Sequence, residues 1–254
     1  MEVLKVSEIS KNFGGVSAVA QFSMEQRENE ITGIIGPNGA GKTTVFNLIT
    51  GVYPVDSGTI SLYGTEISRL PSHKITALGI TRTFQNIRLF KNLTVLDNVK
   101  AAYGVKMHYT VWEEMVRFPT VKREEKRTEE AARDYLSYFE MEKYSESFPY
   151  NLPYGLQRRL ELARALMANP RLLLLDEPAA GLNPKEVRQL IDTLLKIQEE
   201  KKLSIIIVEH HMELVMKICT TLHVLNFGRK IAEGRPETIQ KNEAVLQAYL
   251  GDEA

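Results

Sequence analysis

A glycine-rich run early in the chain has the residue types and spacing of a loop that binds phosphate groups. Residues 36–44, Gly-Pro-Asn-Gly-Ala-Gly-Lys-Thr-Thr, match G-x-x-x-x-G-K-[ST] and stand between an expected strand and an expected helix. Glycine lets successive backbone N–H groups, from about Gly39 to Thr44, point at phosphate oxygens, and the N-terminus of the following helix adds positive potential. In this pattern the Lys42 ammonium reaches the β- and γ-phosphates and the Thr43 hydroxyl coordinates Mg²⁺. The residues expected to bind the phosphates are Gly36, Pro37, Asn38, Gly39, Ala40, Gly41, Lys42, Thr43 and Thr44.

Two adjacent carboxylates follow one of the most apolar runs of the chain. Asp176 and Glu177 come directly after Leu172–Leu175, which we interpret as a buried strand. Parallel sheets bind ligands at the C-terminal ends of their strands, so Asp176 can hold Mg²⁺ and Glu177 can polarise an attacking water. Two acids after a strand could equally cap a helix, but the loop upstream favours catalysis. Together the motifs predict a nucleoside triphosphatase. A GTPase would need an Asn-Lys-x-Asp motif, and the sequence has no Asn-Lys dipeptide.

The elements that must position these residues are predicted by the hydrophobic pattern. Short apolar runs alternate with helical patterns in the C-terminal half, which favours a mostly parallel sheet covered on both faces. The early strands, Val3–Ile9 and Val16–Met24, favour a separate small antiparallel sheet. From about Gln85 to Met167 only helical patterns occur, which predicts an inserted helical segment. The expected helices of that segment are Thr94–Ala102, Val111–Val116, Glu124–Phe139 and Gln157–Met167.

Composition limits the classes of protein that fit. The chain has 254 residues with 43% hydrophobic and 25% charged side chains, which is typical of a globular domain. Lys plus Arg and Asp plus Glu number 32 each, so a broad basic field for nucleic acid is absent and we expect no nucleic-acid partner. The single cysteine, Cys219, gives neither a disulfide nor a zinc set, and we expect it to be buried. No window approaches 18 consecutive apolar residues, so we expect a soluble, cytoplasmic chain held at a membrane only by other proteins.

Further features narrow the class of triphosphatase. Gln85 stands where the sheet gives way to the helical segment, Asn183 follows the two acids, and His210 follows the next strand. Residues 151–166, Asn-Leu-Pro-Tyr-Gly-Leu-Gln-Arg-Arg-Leu-Glu-Leu-Ala-Arg-Ala-Leu, precede the acidic strand. In this order and spacing the chain resembles the ATP-binding subunits of ABC transporters over essentially its whole length.

That resemblance implies an α/β fold of ABC ATPase architecture: a P-loop NTPase (RecA-like) core, an antiparallel β subdomain and an inserted helical subdomain. The expected division is residues 1–85 with 168–254 for the core and 86–167 for the helical insertion carrying the signature motif.

The resemblance also implies roles for individual residues. Gln85 is the glutamine of the Q-loop, Leu152–Leu156 the signature motif, Asn183 the D-loop position and His210 the switch histidine, whose ring reaches the γ-phosphate. Phe13 takes the place of an aromatic residue that stacks on adenine, with a core phenylalanine as the alternative. The catalytic set is Glu177, His210, Lys42 and Gln85, and the expected Mg²⁺ ligands are Thr43, Gln85 and Asp176.

The signature motif departs from the family pattern Leu-Ser-Gly-Gly-Gln. Pro153 replaces the serine, Tyr154 replaces the first glycine and Leu156 replaces the glutamine. In the family the serine hydroxyl donates to the γ-phosphate of the ATP held by the opposite subunit. Because proline has neither a hydroxyl nor an N–H, the contact falls to the Gly155 N–H, to the helix N-terminus behind it, or to Tyr154. Either this subunit completes a weaker half-site, or its partner completes the better one.

Within the family, Leu-Pro-Tyr-Gly, Pro-Ala-Ala-Gly-Leu-Asn-Pro and the Ala-Tyr-Leu-Gly ending resemble the ATPase subunit of branched-chain amino acid importers, with urea and short-amide importers sharing much of the pattern. This implies ATP and Mg²⁺, separate transmembrane permease subunits and, indirectly, a solute-binding protein. It also implies a second ATPase subunit in a head-to-tail dimer, a paralogue rather than a second copy.

Two alternatives stay open. One is a soluble ABC ATPase such as an iron–sulfur assembly factor, which copurification of membrane subunits would exclude. The other is a nucleic-acid ABC ATPase, which a gel-shift assay would test; those carry long coiled coils or two cassettes.

Overall fold

The computed structural model describes residues 1–103 and 119–250. It divides into a core unit, Met1–Arg82 with Arg171–Ala254, and a helical unit, Thr83–Pro170. Each boundary lies within three residues of the expected division. One consequence is a correction: Gln85, expected in the core, belongs to the helical unit, because Arg158 of that unit holds its backbone carbonyl. The helix expected at Val111–Val116 lies outside the described residues.

The strands and helices of the described residues are numbered in the order of the sequence. The strands are β1 Glu2–Phe13, β2 Val16–Arg27, β3 Ile31–Ile35, β4 Ser57–Leu62, β5 Thr65–Glu66, β6 Ile80–Arg82, β7 Leu172–Asp176, β8 Ser204–Val208, β9 Thr221–Asn226 and β10 Arg229–Gly234. The helices are α1 Lys42–Ile49, α2 Ser72–Ala77, α3 Val95–Ala101, α4 Pro119–Tyr138, α5 Tyr154–Met167, α6 Pro184–Lys201, α7 Met212–Ile218, α8 Pro236–Ile239 and α9 Glu243–Leu250.

A six-stranded sheet in the order β10-β9-β3-β8-β7-β6 forms the centre of the core unit. Its pairs are parallel except for β9 and β10, which form an antiparallel hairpin at one edge of the sheet. Every residue of β3, β7 and β8 is buried, as expected for strands covered on both faces. The sequence pattern missed β6, because three residues are too few to show a period.

A second, antiparallel sheet in the order β2-β1-β4-β5 confirms the small sheet expected near the N-terminus. Its first two strands extend beyond the predicted runs and meet at a two-residue turn. Gly14 and Gly15 both have positive φ, 51° and 88°, which is the backbone that tight hairpins favour. Phe13, the last residue of β1, pairs with Val16 across this turn, so its side chain stands at the end of the hairpin.

One hydrophobic cluster joins both sheets of the core unit to α1. It contains Phe22 of β2, Phe46 of α1 and Leu174 of β7, all of them excluded from solvent. Because α1 is anchored in this cluster, the loop before it has a fixed end. Cys219 is buried as expected, and burial raises the pKa of its thiol to about 12.

The described part of the helical unit contains α3, α4 and α5 with two short 3₁₀ turns, Glu142–Tyr144 and Pro149–Asn151. This part, residues 83–103 and 119–170, contains no strand, as the sequence predicted. The α5 helix begins at Tyr154, before the expected Gln157, because Pro153 supplies the N-cap with φ −52° and ψ 152°. In the described ranges of the whole chain, no helix has the length and apolar character needed to span a membrane.

Candidate nucleotide site

The glycine-rich loop joins β3 to α1 and depends on glycine at two close approaches. Gly36 and Gly41 have φ of 149° and 101°, a region that other residues rarely adopt. A Cβ at Gly36 would lie 2.1 Å from the Leu225 carbonyl oxygen, and one at Gly41 would lie 2.4 Å from that of Ala18. The neighbouring strands β9 and β2 therefore hold the loop in a tight turn that leaves no room for side chains at these positions.

Lys42 is the one charged residue of this loop and is buried, with 7% of its surface exposed. Its ammonium donates hydrogen bonds to the carbonyl oxygens of Gly36 at 2.7 Å and Pro37 at 2.8 Å. The positive charge is thus held on the inner side of the turn. The α1 helix begins with Gly41 at its N-cap and has no side-chain acceptor there, so its first N–H groups face outward as anion donors. Thr43, in the first turn, is exposed.

Asp176 ends β7 and is buried against an arginine that no sequence motif indicated. Arg82 of β6 donates from Nη2 to Asp176 Oδ2 at 2.6 Å and from Nη1 to Asn47 Oδ1 of α1 at 2.7 Å. Both charged side chains are almost fully buried. Because a buried carboxylate needs a partner, Arg82 fixes the orientation of Asp176 and links it to the helix that follows the glycine-rich loop.

Glu177 and His210 lie together at the ends of neighbouring strands. The backbone of Glu177 has φ 46°, a strained value for a non-glycine residue of the kind that clusters at functional sites. Its N–H donates to the Val208 carbonyl oxygen at 2.9 Å, and its Oε1 lies 3.8 Å from His210 Nδ1. That separation exceeds a hydrogen bond. The carboxylate and the imidazole therefore lie close together without a hydrogen bond between them.

A second glutamate organises this region, although it was not among the residues expected from the sequence. Glu209 is fully buried. Its Oε1 accepts a hydrogen bond from the Ala179 N–H at 2.9 Å, and its Oε2 accepts from the N–H groups of His210 at 2.8 Å and His211 at 3.1 Å. One carboxylate thereby joins the loop after β7 to the loop after β8. The sequence did indicate a place for Glu209 at the site, because neighbouring parallel strands end at the same edge of a sheet and Glu209 directly follows β8.

Phe13 is a surface residue, so the alternative of a core phenylalanine is wrong. Its side chain is 40% exposed. The edge-to-face partner is Tyr53, with ring centroids 5.2 Å apart at 71°, and the Lys11 ammonium lies 5.6 Å from the Phe13 centroid. Tyr53 fitted no pattern in the sequence. The structure shows it as the residue that supports the Phe13 ring, leaving aromatic surface available for stacking.

The signature residues form the start of α5 in the helical unit. The Pro153 carbonyl oxygen accepts from the N–H groups of Leu156 at 3.0 Å and Gln157 at 3.1 Å, and the helix has no side-chain cap. The N–H groups of Tyr154 and Gly155 precede these bonds, as the first donors of the helix. The Tyr154 ring is exposed.

The expected residues are divided between the two units. The core unit holds Phe13, residues 36–44, Asp176, Glu177 and His210, and the helical unit holds Gln85, Pro153, Tyr154 and Gly155.

The oxygen donors in the core unit fit a magnesium ion that is shared with phosphate groups. Among residues 1–103 and 119–250, no group of three or more His, Cys, Asp or Glu side chains could hold a metal ion. Mg²⁺ usually binds one or two protein oxygens and completes its shell with water and substrate phosphates. The Thr43 hydroxyl and the Asp176 carboxylate are donors of this kind.

Comparison with known proteins agrees with the fold and the site. The sequence-family model described as ABC transporter matches residues 19–180. A second, described as branched-chain amino acid ATP-binding cassette transporter, matches residues 229–254. The chain is 42% identical over 250 residues to the high-affinity branched-chain amino acid transport ATP-binding protein BraF of Pseudomonas aeruginosa and 40% identical to LivG of Salmonella typhimurium, covering 98% of each chain.

A solved structure gives the same result for the fold. An ATP-binding cassette of an ABC transporter in its ADP conformation matches with a TM-score of 0.85 at 29% identity, covering 99% of both chains. The chain therefore belongs to the ABC transporter family and has the fold of its ATP-binding cassette.

Proposed function

We propose that this chain is the ATP-binding and ATP-hydrolysing subunit of an importer for branched-chain amino acids. The observation that carries the proposal is the similarity to branched-chain amino acid transport ATP-binding proteins along 98% of the chain. The C-terminal match to the branched-chain family model supports it, because that segment lies outside the part common to ABC transporters.

ATP binding is assigned to the core unit. The N–H groups of the glycine-rich loop and the Lys42 ammonium bind the phosphates, and the exposed face of Phe13 stacks on the adenine. The carbonyl oxygens that now accept from Lys42 belong to the loop itself, so the ammonium can turn to phosphate oxygens without leaving its place.

Hydrolysis is assigned to Glu177 and His210. Glu177 orients and deprotonates the attacking water, and His210, 3.8 Å from the carboxylate, stabilises charge on the γ-phosphate. Glu209 holds the backbone on which His210 stands. Thr43, Gln85 and Asp176 would hold Mg²⁺, which when bound neutralises phosphate charge.

The assembly is assigned from the family. Two ATPase subunits lie head to tail, and residues 153–155 of one cover the ATP of the other, with the N–H groups of Tyr154 and Gly155 serving in place of the missing serine hydroxyl. A paralogous ATPase is the expected second subunit. Separate permease subunits hold the pair on the inner face of the membrane and receive substrate from a solute-binding protein.

The test uses Glu177→Gln, which keeps the size of the side chain and removes the base. ATP binding should persist while hydrolysis falls by about 10²–10⁴-fold, and the γ-phosphate should then keep the two subunits closed. Glu213→Gln, an exposed glutamate of α7, is the matched control and should hydrolyse ATP normally. Normal hydrolysis by Glu177→Gln would remove Glu177 from the mechanism.

Size exclusion with ATP distinguishes the partners. Dimerisation of Glu177→Gln alone indicates that Pro153 permits a homodimer, whereas dimerisation only after the paralogous ATPase is added indicates a heterodimer.

The substrate is tested in vesicles containing the whole transporter. ATP-driven uptake of leucine supports the proposal, and uptake of urea or a short amide without leucine contradicts it.

A further inference from the structure

A buried ion pair lies within α5, one turn beyond the signature residues. Arg158 Nη1 lies 3.0 Å from Glu161 Oε2, and both side chains are almost fully buried. Burial raises the pKa of Glu161, and the guanidinium beside it opposes that rise. A buried pair of this kind contributes little net stability compared with apolar residues, so its presence in the helical unit needs another explanation.

The same arginine holds the backbone around Gln85. Arg158 Nη1 donates to the Phe84 carbonyl oxygen at 2.9 Å, and Nη2 donates to the Gln85 carbonyl oxygen. The planar fork of arginine suits it to two acceptors on adjacent residues. The segment containing Gln85 is therefore attached directly to α5.

The guanidinium also contacts the signature motif. The Arg158 Cζ lies 5.6 Å from the centroid of the Tyr154 ring, within the range of a cation–π interaction. Tyr154 is the residue that replaces the first glycine of the family's signature pattern. One side chain thus touches both Gln85 and Tyr154.

We propose that Arg158 is a positioning residue that couples the Gln85 segment to Tyr154. The inference rests on the proposed function, in which Gln85 serves the ATP bound by its own subunit and Tyr154 covers the ATP of the opposite subunit. A shift of the Gln85 backbone moves the guanidinium, and the guanidinium moves the Tyr154 ring that it contacts. Arg158 thereby relates the state of one ATP to the cover over the other.

The test needs variants that cut the connection and leave the helix folded. Arg158→Met with Glu161→Leu replaces the buried pair by apolar side chains, which avoids leaving one charge buried without its partner. Arg158→Lys is the second variant. It keeps a positive charge beside Glu161 but lacks the fork that reaches two carbonyl groups. The control is Arg159→Met, since Arg159 instead donates to the Phe139 carbonyl oxygen at 3.2 Å and pairs with the exposed Glu140.

The measurement is a double-mutant cycle on kcat for ATP hydrolysis in the assembled transporter. Gln85→Ala and Tyr154→Leu are made singly and together, first in the natural chain and then in each variant. In the natural chain the combined effect should differ from the product of the single effects by about threefold or more. The effects should multiply in both Arg158 variants and stay coupled in Arg159→Met.

The result separates three cases. Loss of coupling in the Arg158 variants alone supports the inference. Multiplicative effects in the natural chain, or coupling that persists in both Arg158 variants, overturn it while leaving the proposed function intact. If Gln85→Ala and Tyr154→Leu each leave kcat unchanged, the roles proposed for these two residues are wrong, and the inference fails with them.

Discussion

Replacing Glu209 by glutamine should lower both the free energy of unfolding and the rate of ATP hydrolysis. The carboxylate accepts from three backbone N–H groups, one on Oε1 and two on Oε2. Glutamine offers one oxygen and one NH₂ group. In its better orientation the oxygen keeps the two N–H groups of His210 and His211, and the NH₂ group then faces the buried Ala179 N–H.

The cost follows from that geometry. A hydrogen bond to a charged group is worth about 1.5–3 kcal/mol, and a buried N–H left without an acceptor costs about 1–3 kcal/mol. Because these two terms overlap and the other two bonds become neutral ones, we expect a loss of about 3 kcal/mol in the free energy of unfolding. For a chain of this length that lowers the melting temperature by about 6–12 °C.

The assay is thermal unfolding followed by circular dichroism, with ATP hydrolysis measured well below the transition. Glu209→Gln should lower kcat more than ATP affinity, because the lost bond anchors the loop after Glu177 rather than the glycine-rich loop. The exposed Glu213→Gln should change the melting temperature by less than about 2 °C, as for an ordinary surface substitution. If the melting temperature of Glu209→Gln equals that of the control, the three hydrogen bonds do not hold the two loops together.

Further expectations concern single side chains of the core unit. Lys42→Ala should abolish ATP hydrolysis without unfolding the protein, since the ammonium is directed into the loop; turnover that survives would contradict its role. Phe13→Ala should weaken ATP and GTP binding alike, by about 1–3 kcal/mol, which is the free energy of base–aromatic stacking in proteins that bind nucleic acids. The stability of the protein should change little because the ring is exposed. His223 predicts a pH dependence of stability: burial lowers the pKa of its imidazole from 6.5 to about 4. Between those values the unfolded chain binds a proton that the folded chain does not, so the free energy of unfolding should fall by about 3 kcal/mol from pH 6.5 to pH 4. His223→Leu should remove most of this fall, and the exposed His73→Leu should not.

The parts of the site that the sequence predicts are those built from consecutive residues. The glycine-rich loop is specified locally, because its spacing, its glycines and the flanking strand and helix stand within one short segment. The strand before Asp176 can also be predicted from the sequence, because a short run of leucines is typical of a strand that is buried on both faces of a parallel sheet. Its pairing with the next strand places Glu177 near His210 without any further information.

The partners that fix these residues could not be found in this way. Arg82 and Asp176 are far apart in the sequence, and β6, which carries Arg82, is too short to show a period. Arg158 occupied one position in a helical pattern, and nothing local indicated that it holds the backbone at Gln85. Buried polar contacts depend on tertiary packing, so the residues that make them are identified from the structure and not from their spacing in the sequence.

The left-handed backbone of Glu177 has a consequence for protein engineering. A side chain at φ 46° costs about 1–2 kcal/mol compared with glycine in that conformation, so Glu177→Gly should relieve strain at the residue assigned as the base. A selection of variants by melting temperature alone would therefore favour this position and enrich proteins that bind ATP and no longer turn it over. Thermostabilisation of this cassette should exclude position 177 from the library and screen for phosphate release alongside stability.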